Sequence, residues 1–121
     1  MNSHLILSLF HLFVVAPLFF YVGFERTAVP DPVFTLFLVL GSIITLYHGY
    51  KAYIRFMTSS PYLWVNLIHV VLIGPLLVYI GYMAKNTTTP FYEMLLLLAF
   101  GATGYHIYSL VYQMNNVDKF T

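Results

Sequence analysis

Leu9 to Phe24, LFHLFVVAPLFFYVGF, is the stretch that decides the fold, because Leu67 to Tyr82, LIHVVLIGPLLVYIGY, repeats it 58 residues later. Without a gap, His11 falls on His69, Pro17 on Pro75, Tyr21 on Tyr79 and Gly23 on Gly81. The same offset carries onward: Pro32 meets Pro90, Thr45 meets Thr103, Tyr47-His48 meets Tyr105-His106, and Tyr50 meets Tyr108. One ungapped shift that matches His, Pro, Tyr and Gly in two successive segments reads as a tandem duplication.

The 121 residues form one membrane domain, with repeat one over 1–57 and repeat two over 58–121. Only 7% of the residues are charged and 60% are hydrophobic. An average soluble domain carries roughly 25% charge, so the solvent this chain expects is lipid. A net charge of +1 argues against a nucleic-acid binder, which needs a basic stripe to neutralise phosphates. The absence of cysteine excludes disulfides, thiolate nucleophiles and iron–sulfur clusters. The N-terminus has no basic residue before its apolar run, and that run is half of a repeat unit, so it reads as a mature span and not as a cleaved signal.

Four apolar stretches follow, about His4–Phe24, Val33–Met57, Tyr62–Met83 and Phe91–Met114. Each is long enough to cross a hydrocarbon core of about 30 Å. Polar, proline-bearing breaks separate them, and Pro32, Pro61 and Pro90 stand at or just before helix starts, where a missing N–H is harmless. No run alternates as a barrel strand would. The expected fold is an all-α integral membrane protein: a four-transmembrane-helix up-down bundle built from two tandem two-helix repeats with pseudo-two-fold symmetry about the membrane normal. Pro17 and Pro75, in mid-helix, are each expected to remove a backbone bond and bend the chain.

The side holding both termini carries Lys51, Arg55 and Lys119 against Asp118, and the far side carries Arg26 and Lys85 against Glu25, Asp31 and Glu93. The positive-inside tendency then places both termini of this multi-pass protein in the cytoplasm. Asn86-Thr87-Thr88 matches a glycosylation acceptor, but its place hard against the membrane favours a plain, unmodified polar loop.

His4 is terminal and solvated, while the other four histidines are intramembrane. His11 lies about 10 Å in from its helix end and His48 roughly 12 Å from the same side, and His69 and His106 repeat these depths. Spacing of three, four and seven places Thr45, His48, Lys51 and Arg55 on one face, and Thr103, His106, Ser109 and Gln113 on its equivalent. Ser8 accompanies His11 and Asn66 accompanies His69. Polar faces avoid lipid, so a closed monomeric bundle is expected to gather His11, His48, His69 and His106 at one level.

Three uses of such a site stay open from the residues. The histidines can hydrogen-bond across helices and only join them, in a scaffold or envelope protein. They can bind a cofactor, since imidazole ligates both haem iron and transition metals. A single haem b would take two histidines, with Lys51 and Arg55 meeting its propionates. One or two Cu or Zn ions would take all four, with Ser8, Asn66, Thr45 and Thr103 as the hydrogen-bonding groups behind them. A carboxylate-bridged di-iron site is excluded by the lack of intramembrane acids. Third, a polar axis can relay protons or conduct ions, but no acid lies near the bilayer centre and no carbonyl-lined filter is present. No nucleophile, phosphate loop or paired carboxylate is present, so any chemistry would belong to a cofactor. Beyond the lipid bilayer, partners are left open, whether a second copy of the chain or a membrane redox partner.

The pattern His-x5-Pro-Leu-x2-Tyr-x-Gly, followed by a second helix bearing Tyr-His, resembles small two-repeat, four-helix membrane proteins encoded by large DNA viruses, over most of the chain. That resemblance implies a host or virion membrane and attaches no activity. Membrane cytochromes b with paired histidine ligands are an architectural analogy, but they hold haems at two depths where this chain has one.

Overall fold

A computed structural model describes residues 3–116. Asp118 and Lys119, which enter the expected orientation, lie outside the described residues. The described chain is helical, without strands: α1 (Ser3–Ala28), α2 (Asp31–Met57), α3 (Leu63–Asn86) and α4 (Thr89–Asn115). Each helix is long and apolar enough to cross a membrane. The boundaries follow the prolines. Pro32 stands in the first turn of α2 and Pro90 in that of α4, while Pro61 lies in the turn before α3.

The helices form two compact units. One holds Arg26–Phe91, and the other combines the residues up to Glu25 with those from Tyr92 onward. Within the first, α2 and α3 pack antiparallel at glycine. A Cβ added at Gly41 would lie 2.8 Å from Leu77 Cβ and 2.9 Å from the Gly74 carbonyl, and one at Gly81 would lie 2.7 Å from the Phe34 carbonyl. Backbone approaches backbone there because no side chain intervenes. Within the second unit α1 and α4 run antiparallel. The space a Cβ would need at Gly23 is filled by Leu96, and Phe20 meets Phe100 edge-on at 4.8 Å.

Burial recurs at the 58-residue spacing. Ser8, Ala16, Phe19, Val22, Gly23, Val29, Phe34, Phe37 and Gly41 are buried, and so are Asn66, Gly74, Leu77, Ile80, Gly81, Thr87, Tyr92, Leu95 and Ala99. Only Leu76 and Gln113 add to this set among the described residues. Backbone irregularities recur too. Arg26 (φ 52°) and Ala84 (φ 49°) both enter the left-handed region and start short 3-10 turns, Arg26–Ala28 and Ala84–Asn86.

The two mid-helix prolines are accommodated in a way the sequence does not spell out. A proline at position 17 removes the N–H that would bond Phe13, and its ring crowds that carbonyl. The preceding turn, His11–Val15, widens to a π turn in which the Ala16 N–H donates to the His11 carbonyl. His69–Ile73 does the same before Pro75, with Gly74 donating to His69. Each π turn therefore begins on a histidine, and such bulges are often found at functional sites.

Candidate functional site

His11, His48, His69 and His106 form two face-to-face pairs, one inside each unit. His48 of α2 and His69 of α3 stack with ring centroids 4.0 Å apart and planes 18° from parallel. His11 of α1 and His106 of α4 stack at 4.4 Å and 23°. All four rings are half-buried.

His11 and His69 are held by their own helices. The His11 Nδ1 lies 2.8 Å from the Leu7 carbonyl, and the His69 Nδ1 lies 2.6 Å from the Val65 carbonyl. A carbonyl only accepts, so in both rings the proton sits on Nδ1 and the lone pair of the neutral ring on Nε2. His48 is held across the helix pair instead. Its Nδ1 lies 2.8 Å from the Asn66 Nδ2, and the Asn66 Oδ1 accepts from the Arg55 Nη1 at 2.7 Å. Arg55 also donates to the Tyr62 carbonyl at 3.3 Å. Asn66 is only 2% exposed, so losing either partner would strand a buried amide.

The other residues expected at the site are placed as follows. Thr45 and Thr103 donate to carbonyls one turn back on their own helices, Gly41 at 2.8 Å and Ala99 at 2.7 Å, so those protons are not spent on a histidine. Ser8 is buried and Lys51 is half-buried. Gln113, which occupies the position 58 residues after Arg55, donates from Nε2 to the Ser109 hydroxyl at 3.1 Å. Its Oε1 is buried without a hydrogen bond. In the sequence Gln113 stands out only as part of a polar stripe. The repeat offset itself was the signal that would have matched it to Arg55.

The donor set can be tested against the cofactors considered. Two imidazoles that bind one iron from opposite sides, each at about 2 Å, have ring centroids roughly 6 Å apart. Rings stacked at 4.0 and 4.4 Å do not bracket an iron in that way, so neither pair fits a haem between its own two rings. Two imidazoles supply half of a tetrahedral Zn or Cu set. Among the described residues no group of three or more His, Cys, Asp or Glu is arranged to hold a metal ion. Arg55, expected at haem propionates, is committed to Asn66 and Tyr62.

No known family model, curated protein or solved structure matches the chain.

Proposed function

We propose that this chain is a multi-pass integral membrane scaffold in which stacked histidine pairs join the helices within the bilayer. The observation that carries this reading is the α2–α3 link, where His48 stacks on His69 at 4.0 Å and is hydrogen-bonded by Asn66 at 2.8 Å. Stacked rings contribute about 0.5–1.5 kcal/mol beyond burial, and a hydrogen bond in this setting contributes about 1 kcal/mol. Membrane insertion is supported by the outward apolar faces. Phe13, Leu46, Val71 and Leu97 are 71–76% exposed, one on each helix, which water would penalise and lipid does not. A tandem duplication with pseudo-two-fold symmetry is supported by the recurrence of burial, of the π turns and of the left-handed residues at one spacing. The charge balance supports cytoplasmic termini. The viral resemblance supports an envelope or host-membrane setting.

A second reading, binding of Zn or Cu, is favoured by one specific observation. His11 and His69 both spend Nδ1–H on a backbone carbonyl, which is the arrangement that leaves Nε2 as the ligating nitrogen. An ion held by either ring would supply positive charge there, and the backbone carbonyl at Nδ1 would orient that ring toward it.

Both readings meet one experiment on detergent-purified protein: metal content by elemental analysis, alongside thermal unfolding of His69→Phe and His69→Ala. Helix joining by stacking predicts a metal-free protein in which His69→Phe keeps most of the stability that His69→Ala loses. Stoichiometric metal that disappears in His69→Phe, together with equal destabilisation by both variants, would replace the first reading with the second.

A further inference from the structure

The contacts around His48 determine where its proton sits. A guanidinium has donors and no acceptor, so the Asn66 atom facing Arg55 at 2.7 Å must be the carbonyl oxygen. That choice fixes the other end of the amide as the NH2 group, 2.8 Å from the His48 Nδ1. An NH2 group facing a ring nitrogen donates to it, so Nδ1 carries the lone pair and the proton of the neutral ring is on Nε2. His69 has the reverse arrangement, because the Val65 carbonyl at 2.6 Å requires a proton on Nδ1. The two stacked rings are therefore opposite tautomers.

We propose that Arg55, acting through Asn66, is a positioning residue that locks His48 as a hydrogen-bond donor at Nε2 and keeps it out of any metal-ligand set. A neutral imidazole ligates through its unprotonated nitrogen, and the unprotonated nitrogen of His48 is already spent on Asn66. His69, with its proton on Nδ1, is the ring of this pair whose tautomer suits a Zn ion. The lock is particular to the Arg26–Phe91 unit. The matching positions 58 residues away are Ser8 and Gln113, and Gln113 donates to Ser109. The consequence for metal binding rests on the second reading above, whereas the tautomer assignment does not.

The test is two-bond proton–nitrogen correlation spectroscopy of the full chain, labelled with 15N in its imidazoles and held in lipid nanodiscs, with His48 and His69 assigned by their loss in the Phe variants. The expected wild-type spectrum has His48 protonated at Nε2 and His69 at Nδ1. Asn66→Asp, which offers only an acceptor, moves the His48 proton to Nδ1. Arg55→Met frees the amide to turn and gives a mixture, and Arg55→Lys restores the wild-type pattern. A wild-type His48 protonated at Nδ1, or an Asn66→Asp spectrum unchanged from wild type, overturns the lock. Zn2+ titration of the same samples separates the two claims. His69→Phe should weaken binding by at least about tenfold and His48→Phe by less than about twofold, because removing a ligand costs no less than disturbing the groups that orient one. Equal losses overturn the exclusion of His48, and no Zn2+ binding by the wild-type chain overturns the metal reading while the spectrum still decides the lock.

Discussion

His48 and His69 lie face to face at 4.0 Å although they belong to different copies of the sequence repeat, and His11 makes the same contact with His106 at 4.4 Å. The partner of each histidine is thus not the one it shares a repeat with. Each π turn begins on the histidine, six residues before a proline, and that ring faces one on another helix.

Because the chain has no cysteine, these pairs can be probed directly. His48→Cys combined with His69→Cys, and His11→Cys combined with His106→Cys, should cross-link within one chain under mild oxidation or with a short bismaleimide. Absence of intramolecular product in both double variants, in protein that still elutes as a single species, contradicts the pairing.

Gly81 should tolerate no side chain. A Cβ there meets the Phe34 carbonyl at 2.7 Å and Leu38 Cα at 2.8 Å, and backbone atoms cannot rotate away. Gly81→Ala should lower stability by about 1–3 kcal/mol through overpacking. Gly101 and Gly104 have open space where a Cβ would go. Their alanine variants should be neutral or more stable by up to about 1 kcal/mol, from helix propensity alone. Thermal unfolding in one detergent compares all three, and a destabilised Gly101→Ala would show that its face is covered.

Lys85, near the end of α3, holds the end of α1 and the residue that follows it. Its ammonium donates to the Thr27 carbonyl at 2.9 Å and the Val29 carbonyl at 3.3 Å, and stands 3.9 Å from the Asp31 carboxylate. The ion pair is solvent-exposed, with side chains 51% and 78% accessible. Exposed pairs are worth at most about 1 kcal/mol, so Asp31→Asn should be nearly silent. Lys85→Met loses the carbonyl bonds as well and should cost more. Equal melting temperatures for the two variants would assign the effect to the carboxylate after all.

The proposed insertion with cytoplasmic termini predicts an asymmetric labelling pattern. Ser59→Cys, in the α2–α3 turn, should react with an impermeant maleimide only after the membrane is opened. Thr88→Cys, before α4, should react in intact cells or right-side-out vesicles. The reverse pattern inverts the orientation, and reaction of both from one side removes the four-span topology.

Much of the fold was legible in the residues. The apolar runs placed four helices within a few residues of their observed ends, because uninterrupted apolar length and proline breaks are local properties. The polar stripes were legible for the same reason: a period of 3.6 puts Thr45, His48 and Arg55 on one face wherever that face points. The π turns were less so. Loss of the N–H at Pro17 and Pro75 was readable, but the widened turns at His11–Val15 and His69–Ile73 that accompany it were not, because a π turn has no residue-type signature of its own.

The sequence by itself determined the number of helices, their apolar character, the 58-residue recurrence and the four histidine positions. These depend on residue type and spacing. Only the tertiary structure decided that α2 pairs with α3 and α1 with α4, and so that His48 meets His69 and His11 meets His106. Pairing depends on close approach at Gly41, Gly81 and Gly23, where contact is made with residues distant in the chain. The same dependence redirected Arg55. As a residue near a presumed cofactor it looked like a propionate ligand. Packed across from Asn66, its donor-only guanidinium turns the amide, and the amide sets the ring.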